Sequence, residues 1–489
     1  MNRVLIISHD VVDARMAGPG IRCWQFARVL SREFDVTLAV PQSTDLVSSR
    51  FHILPYKPDQ PQIIEQAIEA AEVVIAGGYL IRDFPFLVTI EKPLVIDAYT
   101  PYLFEALELH SSLQSPDRLE AHEHTLGVLS TQFVAGDFFL CANERQRDLW
   151  LGFLAACGRI NPYTHLKDKT MRCLIDVVPF GLPPEPPRHE KQVLKGVCDD
   201  IAKDDKVLLW GGGLWQWLDP LTLIQAMARI VEKRQDVKLV FPGSRHPYKE
   251  RVPDMRIRQQ ALQLSRELGL AERYVFFGDW VPYEEWPNYL LEADIGISLH
   301  LDTVETRFAF RTRILDYIWA GLPIIATRGD AMAEVIKGYG LGLLVDPQDV
   351  DQLTQVLLEL LEEPNLRRDY QPGFVEAAKQ ITWDRVAEPL IRFCRHPYRA
   401  PDKVALGKGE LYDHIAALER VLRTREGQLI ANLEQHARNL EQHAHNLEQH
   451  ARNLEALVRA REDELSRYKQ TIFFKLHNLL TRSEGRGAQ

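Results

Sequence analysis

The residues with the clearest potential for chemistry lie in the sequence E-T-R-F-A-F-R-T-R-I-L-D, which begins at Glu305. Arg311 and Arg313 lie near the first turns of a helix predicted over Phe310–Trp319, and Asp316 follows about one turn later. Two guanidinium groups beside a helix start favour binding of a diphosphate, and the carboxylate that follows suits a ribose diol. A surface helix with ion pairs between residues three apart is the alternative interpretation.

Glycines follow two of the predicted strands. Gly18 and Gly20 flank a proline at the start of a predicted helix, and Gly212 and Gly213 follow the strand Lys206–Trp210. Glycine at a helix start lets backbone N–H groups approach an anion, although an ordinary turn also uses glycine for its conformation. The first loop is not G-x-G-x-x-G, and no acid suited to a ribose follows at the dinucleotide spacing, which argues against a nicotinamide cofactor.

Other side chains that suit a ligand also come directly after strands. Asp97 ends the strand Leu94–Asp97, where a carboxylate can accept a hydroxyl proton, hydrogen-bond a sugar or cap a helix. Trp215 and Trp217 follow the glycines of the second half and offer stacking faces.

Two successive sets of short apolar runs alternate with amphipathic helical stretches. The predicted strands of the first set are Arg3–Ser8, Val36–Val40, Val73–Ala76, Leu94–Asp97, Phe138–Cys141 and Ile175–Pro179, and those of the second set are Lys206–Trp210, Lys238–Pro242, Val275–Gly278, Ile295–Leu299, Ile324–Thr327 and Gly342–Val345. Few of them alternate with polar residues, as is typical of strands buried on both faces. The pattern predicts an α/β protein with two facing Rossmann-like domains, which bind ligands outside the carboxyl ends of their strands.

The expected boundaries are an N-terminal domain over 1–182, a linker over 183–203 and a second domain over 204–375. Residues 376–400 are expected to form a closing helix that returns to the first domain, and 401–489 to form a helical tail.

Composition narrows the class of protein. The 489 residues carry 58 Lys and Arg against 68 Asp and Glu, and this net charge of −10 argues against nucleic acid as a partner. Six scattered cysteines without a C-x-x-C pair indicate a reduced, cytoplasmic protein rather than a zinc site or a disulfide framework. The chain is expected to lack both a leader peptide and a membrane-spanning segment.

The tail contains the repeat N-L-E-Q-H-A-R/H, which gives a seven-residue period. Alanine falls at heptad position a and leucine at position d, which predicts a coiled coil over about 425–468 and a homo-oligomer. These positions are Ala437, Ala444 and Ala451 for alanine, and Leu433, Leu440, Leu447 and Leu454 for leucine. A lone helix packed on a domain is the alternative. His436, His443 and His450 share one heptad position, so an effect of pH is open.

The end of the tail, YKQTIFFKLHNLLTRS, is amphipathic. It places Ile472, Phe473, Leu476, Leu479 and Leu480 on one helical face, with Lys469, Lys475 and Arg482 nearby. A peripheral helix at the inner face of the membrane and packing against a partner are both consistent with this pattern.

Several motifs of the second domain resemble the large family of retaining glycosyltransferases with the GT-B fold, often called family 4. FGDWVPYEEWPNYLLEADIGIS resembles the family pattern F-x-G-x-V-P-x-x-E-L-x-x-Y-x-x-A-D, and LDYIWAGLPIIAT resembles L-E-A-M-A-C-G-x-P-V-I-A-T. VVPFGLP and GLGLLVDPQD also match family segments, and the likeness covers roughly residues 1–396. The GPGIR loop and the E-T-R-F-x-F-R-T-R helix resemble one bacterial subgroup.

The resemblance implies metal-independent transfer of a sugar from a UDP or GDP sugar. Glu334 lies where the family places a glutamate, and Asp316 replaces the family's helix glutamate. The family's earlier glutamate falls at Phe308, so Glu305 is the nearest acid. Gly213 and Leu218 stand where the family has a basic pair, and Arg311, Arg313 and Arg245 are candidates to replace those two cations. The candidate catalytic residues are Asp97, Glu305 and Arg313. The candidate donor-binding residues are Gly18, Gly20, Gly212, Gly213, Arg245, Arg311, Arg313, Asp316 and Glu334.

The predicted function is sugar transfer with retention to a glycan or lipid-linked acceptor, in bacterial surface polysaccharide or glycan synthesis. No cofactor is expected, since the nucleotide sugar is a co-substrate. Two alternatives remain open: a catalytically silent GT-B-like scaffold oligomerised by its coiled coil, and a nucleotide-sugar epimerase of the same fold.

Overall fold

The structure is a computed structural model that describes residues 2–111, 113–198, 200–248 and 254–484. Within the final helix, the side chains of 407–434 and 476–484 are outside the description. Leu433, Leu476, Leu479, Leu480 and Arg482 of the sequence-based predictions therefore lie outside the described side chains. The chain forms two compact units, residues 1–415 and residues 416–489.

Two parallel sheets form the first unit and confirm the α/β prediction. The strands are β1 (Arg3–Ile7), β2 (Asp35–Val40), β3 (His52–Pro55), β4 (Val73–Gly77), β5 (Leu94–Asp97), β6 (Phe138–Cys141), β7 (Ile175–Val177), β8 (Lys206–Leu209), β9 (Val237–Phe241), β10 (Val275–Phe277), β11 (Ile295–Ser298), β12 (Ile324–Thr327) and β13 (Gly342–Val345). The first sheet has the order β3-β2-β1-β4-β5-β6-β7, and the second has the order β10-β9-β8-β11-β12-β13. In each sheet the strand order reverses beside the first strand of the set, which marks the ligand-binding crevice of such folds.

Helices connect these strands as the parallel pairing requires. They are α1 (Gly18–Leu30), α2 (Pro61–Ala70), α3 (Leu80–Asp83), α4 (Tyr102–Leu109), α5 (Asp117–Ala135), α6 (Glu144–Ala156), α7 (Pro162–Lys167), α8 (Pro220–Lys233), α9 (Arg256–Glu267), α10 (Trp286–Glu292), α11 (Val304–Phe308), α12 (Thr312–Ala320), α13 (Ala331–Tyr339), α14 (Val350–Glu362), α15 (Leu366–Gln380), α16 (Trp383–Val386), α17 (Glu388–Arg395) and α18 (Pro401–Glu484). Short 3₁₀ turns lie at Pro85–Val88 and Tyr283–Glu285.

The strands form where the sequence has continuous apolar runs, because helices cover both faces of each sheet. β4, β6, β9, β11 and β12 are buried along their whole length. The sequence analysis missed β3, a four-residue edge strand that ends on proline and has exposed terminal residues. An edge strand of this kind lacks the apolar run by which the other strands were recognised.

The chain crosses between the two sheets at two adjacent places. Leu182 N–H donates to the Ile381 carbonyl at 2.7 Å, and Trp383 N–H donates to the Leu182 carbonyl at 3.0 Å. Trp383 then packs edge-on against Phe26 of α1, with 5.8 Å between ring centroids. The outgoing and returning crossings therefore form one short parallel bridge.

The segment predicted as a linker packs against α10 of the second domain. The Glu292 carboxylate accepts backbone hydrogen bonds from Val193, Leu194 and Lys195 at 2.8–2.9 Å. Asn288 accepts two more from the preceding residues of the segment. These hydrogen bonds to Glu292 and Asn288 therefore hold this part of the segment against α10.

Gly20 has a packing role that the sequence does not reveal. A Cβ atom at Gly20 would lie 2.2 Å from the Val11 carbonyl oxygen and 3.0 Å from the Cβ atom of Met16. A Cβ atom at Gly18 meets nothing closer than 3.9 Å. Helix α1 can therefore approach the loop after β1 only with glycine at position 20.

We expect Gly20→Ala to lower the melting temperature by about 5 °C, because the added methyl group must displace backbone. Gly18→Ala is the matched control and should change the melting temperature by about 1 °C or less. Scanning calorimetry of both variants tests this contrast, and equal melting temperatures would contradict the packing role.

Candidate functional site

The loop after β8 is fixed by a buried tyrosine of α12. The Tyr317 hydroxyl accepts a hydrogen bond from Gly211 N–H at 2.7 Å and lies 2.9–3.0 Å from the carbonyl oxygens of Leu209 and Ile297. Gly212, next in the loop, has φ of +76°, which favours glycine. This glycine loop is therefore held in one conformation at the strand-order reversal of the second sheet.

Arg313 lies against this loop. Its Nη2 donates to the Gly213 carbonyl at 3.1 Å, and its guanidinium carbon lies 4.8 Å from the centroid of the Trp210 ring. Its Nη1 is buried without a hydrogen-bond partner among the residues that the structure describes. Burial lowers the pKa of Arg313 to about 10, with a smaller contribution from the charge of Arg311. The site therefore contains a desolvated cation with an unused donor.

Asp316 lies one turn after Arg313, as the sequence predicted. Trp286 Nε1 donates to its Oδ2 at 3.0 Å. Burial raises the pKa of Asp316 to about 7, while the Trp286 hydrogen bond and Arg313 oppose the shift. Asp316 is therefore partly protonated near neutral pH, and its second oxygen remains available to a ligand hydroxyl.

Arg311 is engaged within the protein. It forms a two-pronged ion pair with Glu305, at 2.9 and 2.6 Å, and both side chains are buried. The structure places Arg311 at the N-cap of α12 and Glu305 in the short helix α11, rather than both beside an open anion site. Glu305 thus neutralises the charge that the sequence analysis assigned to a diphosphate.

A buried polar cluster adjoins this ion pair. Asp330 Oδ2 lies 3.8 Å from Arg311 Nε and 3.8 Å from His300 Nε2, and each of these atoms lacks a hydrogen-bond partner within the described residues. Burial raises the pKa of Asp330 to about 6. Burial and the Arg311 charge lower the pKa of His300 to about 3, so its imidazole is neutral at physiological pH. The sequence analysis missed His300 and Asp330.

The first domain contributes Glu105 to the same region. Burial and the nearby Glu305 raise the pKa of Glu105 to about 8. Beside it, Phe104 stacks on Phe308, with 5.5 Å between ring centroids. Phe308 therefore joins the two domains at the position where the resembled family has a glutamate.

An aromatic recess lies on the other side of the glycine loop. Its walls include Trp215, His246 and Trp280, and His246 lies 5.3 Å from Trp280 between ring centroids. Arg245 also lines this recess. The sequence analysis identified Trp215 and Arg245 but missed His246 and Trp280, whereas Trp217 lies in the core, stacked on Trp215.

Asp97 and the glycines of the first turn of α1 lie at the carboxyl ends of the strands of the first sheet. Both Asp97 oxygens accept from Arg22, at 2.6 and 2.9 Å, and Arg22 also donates to the carbonyls of Pro179 and Val178. Arg22 is fully buried. The Asp97 carboxylate is therefore occupied by an internal cation, and its catalytic role remains a prediction.

Contacts close the cleft at both rims. On one rim, Tyr283 N–H donates to the Ala14 carbonyl at 2.8 Å and Gln25 donates to the Tyr283 hydroxyl at 3.1 Å. On the other rim, Gln146 donates to the Phe308 carbonyl at 2.8 Å. Glu334 lies at this rim, 70% exposed and 3.6 Å from Arg145 of the first domain.

Within the described residues, no group of three or more His, Cys, Asp or Glu side chains is arranged to hold a metal ion. None of the helices in the described part is both long and apolar enough to span a bilayer.

Two facing Rossmann-like domains with parallel sheets form the GT-B architecture. A solved structure of Anabaena Alr3699/HepE in complex with UDP and glucose has this fold, with a TM-score of 0.56 and 12% identity over 81% of this chain and all of that chain. Residues 205–363 match the family described as Glycosyl transferases group 1.

Two curated relatives are glycosyltransferases. D-inositol 3-phosphate glycosyltransferase of Corynebacterium diphtheriae is 26% identical over 195 residues, 40% of this chain and 43% of the relative. MMP alpha-(1->4)-mannosyltransferase of Mycolicibacterium hassiacum is 43% identical over 131 residues, 26% of this chain and 30% of the relative. The matches cover less than half the length of these relatives. The comparisons therefore show that residues 205–363 resemble group 1 glycosyl transferases, as the motifs of the second domain predicted, and that the chain shares the fold of the solved structure.

The Arg22–Asp97 ion pair predicts that Asp97 has a structural role, which can be tested by its effect on stability. We expect Asp97→Asn to destabilise the protein by about 3–5 kcal/mol, because it leaves a buried guanidinium without its counter-charge. Arg22→Met combined with Asp97→Asn should recover part of this loss. Chemical denaturation measures both effects. An unchanged unfolding midpoint in Asp97→Asn would contradict the structural role.

Proposed function

We propose that this protein transfers a sugar from a nucleotide-sugar donor to an acceptor hydroxyl, with retention at the anomeric carbon. The observation that carries the proposal is the half-buried Arg313 guanidinium, which lies against the Gly213 carbonyl and whose buried Nη1 has no hydrogen-bond partner in the described residues. A leaving diphosphate develops negative charge in the transition state, and a preorganised, desolvated cation stabilises that charge more than water does.

The proposed donor site combines the groups around this arginine. Asp316 binds the ribose hydroxyls, and the recess of Trp215, His246 and Trp280 stacks on the base. Arg245 supplies a second cation beside the recess, in place of the family's missing basic pair. Glycine loops at Gly18–Gly20 and at Gly212 and Gly213 allow the phosphates to approach the backbone.

The remaining roles are assigned by position. Glu305 and Glu334 are proposed to bind sugar hydroxyls, and Asp97 to act at the acceptor side. Arg311 is proposed to act at the donor site only indirectly, by holding Glu305 in place, because its own charge is paired with Glu305. We propose that transfer needs neither a metal nor a cofactor, and that closure of the domains keeps water from the donor.

The proposal extends to the cellular setting. A glycan or lipid-linked acceptor in bacterial surface polysaccharide synthesis fits a cytoplasmic enzyme that works at the inner face of the membrane. The exposed Phe473 and Phe474 near the end of the tail support contact with that surface. The exposed heptad leucines support self-association through a coiled coil.

One observation favours a second candidate, the catalytically silent scaffold. Glu305 neutralises Arg311, and the family's basic pair is absent, so the cleft has fewer free cations than a diphosphate site usually offers. A scaffold need not bind UDP or GDP sugars, whereas an epimerase of this fold would convert the donor without an acceptor.

The central experiment is mass spectrometry of the products formed from a panel of UDP and GDP sugars with a cell-envelope extract. UDP-glucose belongs in the panel because Alr3699/HepE was solved with UDP and glucose. Released nucleotide together with a glycosylated product supports transfer. Donor conversion without an acceptor supports the epimerase, and failure to bind any donor in calorimetry supports the scaffold.

We expect Arg313→Ala to lower kcat/KM by an amount equivalent to about 1–3 kcal/mol, because it removes a charge-assisted hydrogen bond to the diphosphate. Arg307→Ala removes an exposed arginine of the neighbouring helix and is the matched control. Steady-state kinetics with a fixed acceptor measures both variants. Equal turnover of Arg313→Ala and the parent would remove Arg313 from the mechanism.

Donor binding should weaken as pH falls through about 7, because protonation of Asp316 removes the negative charge that accepts the ribose hydroxyls. Calorimetry with UDP or GDP between pH 8 and pH 6 should show a loss of affinity of up to about tenfold. In Asp316→Asn the affinity should be low at both values and nearly independent of pH. A parent profile that is flat over this range would contradict the ribose role.

A further inference from the structure

The described part of α18 carries an apolar stripe that extends beyond the sequence repeats. Leu440, Leu447 and Leu454 occupy position d and are 63–67% exposed. The same register places Val458, Leu465 and Ile472 at position a and Tyr468 at position d, and these four are also exposed. The stripe therefore continues for about five heptads across the residues with described side chains.

Two rows of opposite chemistry flank this stripe. Position g holds His436, His443 and His450, and position e holds Glu441, Glu448 and Glu455. In a parallel two-stranded coiled coil, each g residue faces the e residue five positions later on the partner helix. His443 of one chain would thus face Glu448 of a second copy, and the same holds for the other two pairs.

Strand direction follows from this arrangement. An antiparallel pair would bring e residues against e residues and g residues against g residues. That geometry opposes glutamate to glutamate, which is unfavourable, and histidine to histidine, which gains nothing. A fourth pair across the two helices also favours the parallel arrangement, because Glu464 at g would face Lys469 at e of the partner helix.

We infer that the tail pairs with a second copy of this chain as a parallel, in-register dimer in which rungs of histidine and glutamate tighten the pairing as pH falls. The inference rests on the proposed self-association and adds its partner, direction and pH response. A protonated imidazole attracts the partner's carboxylate, whereas a neutral imidazole provides no charge. The dimer is therefore more stable below the pH range in which imidazoles lose their proton and weakens above it.

The charges around each histidine–glutamate pair are compatible with a dimer that becomes more stable as the pH falls. On its own helix, each g histidine has only asparagine and leucine three and four positions away, so no carboxylate lies at these positions of the same helix. Each e glutamate has basic residues at position b on its own helix, and Arg452 lies 3.5 Å from Glu448 in an exposed pair. These pairs on one helix are exposed and weak, and they leave the second carboxylate oxygen for the partner.

Arg461 is the one charged residue at an a or d position between Ala437 and Ile472. Its guanidinium pairs with Glu464, three residues later at position g. The charge thus lies at the flank of the stripe rather than in its centre. Val458 and Ile472 at position a favour two strands over three.

Sedimentation equilibrium of the full chain at pH 8.0 and pH 6.0 tests the inference. We expect a monomer–dimer equilibrium whose dissociation constant falls about tenfold at the lower pH, from three rungs that each occur twice. The triple variant E441Q/E448Q/E455Q should still dimerise but lose this pH response. Glu462→Gln is the matched control, because Glu462 at position e faces Leu457 rather than histidine, and it should keep the response. His445→Gln, at position b, should keep it as well.

Crosslinking tests the direction. Leu440→Cys and Leu454→Cys, oxidised separately, should each form a disulfide-linked dimer beyond the parent's background, because d residues meet their own copy in a parallel pair. A disulfide that forms only when the two variants are mixed indicates antiparallel pairing and overturns the inference. A dimer without pH dependence overturns the histidine rungs but leaves self-association intact, and a monomer at both pH values overturns both. Sugar transfer is assayed separately, so its loss or retention does not enter this test.

Discussion

A buried guanidinium must find acceptors for its hydrogen bonds, and this constraint organises the region between the two sheets. Arg22 donates to Asp97 and two carbonyls, and Arg311 forms a two-pronged ion pair with Glu305 that leaves its Nε without a hydrogen-bond partner in the described residues. Each of these pairs fixes a loop at the carboxyl edge of a sheet. Arg313 differs, since within the described residues it forms no ion pair, donates to one carbonyl and keeps its buried Nη1 without a partner. The arginine of these three that lacks an internal ion pair is thus the one beside the glycine loop.

Burial also shifts the pKa values of the charged groups in the cleft, upward for the acids and downward for Arg313. Burial raises the pKa of Asp316 to about 7 and that of Glu105 to about 8, and it lowers the pKa of Arg313. Contacts at both rims keep water away from these groups and so maintain the low dielectric that causes the shifts. A diphosphate would supply the acceptor oxygens that Nη1 of Arg313 lacks, which links the closed arrangement of the domains to the proposed chemistry.

The sequence predicted the sheets well because buried parallel strands are written as local apolar runs. The start of helix α8 (Pro220–Lys233) is also encoded locally, because the Asp219 side chain caps it and a proline is its first residue. The sequence did not predict which charged residues pair with each other in the folded chain. Asp97 lies 75 residues from Arg22, and nothing local indicates that it is bound there.

The site was predicted in part for the same reason. The spacing of Arg313 and Asp316 follows from helix geometry, and the glycine loops are visible as motifs. The recess depends on His246 and Trp280, which come from the ends of different strands and meet only in the folded chain. Phe104 and Phe308 meet across the two domains, so the family's missing glutamate was visible in the sequence while the aromatic contact at that position was not.

The paired crossings at Leu182 and Trp383 also limit how the halves of the first unit can move. The two crossing segments run side by side and are joined by hydrogen bonds at 2.7 and 3.0 Å, so they act as one connection rather than as two independent linkers. This connection permits bending but resists both sliding and separation of the two halves. Any swing of one sheet relative to the other is therefore a rotation about a fixed pivot, so that each opening returns the glycine loops to the same registration.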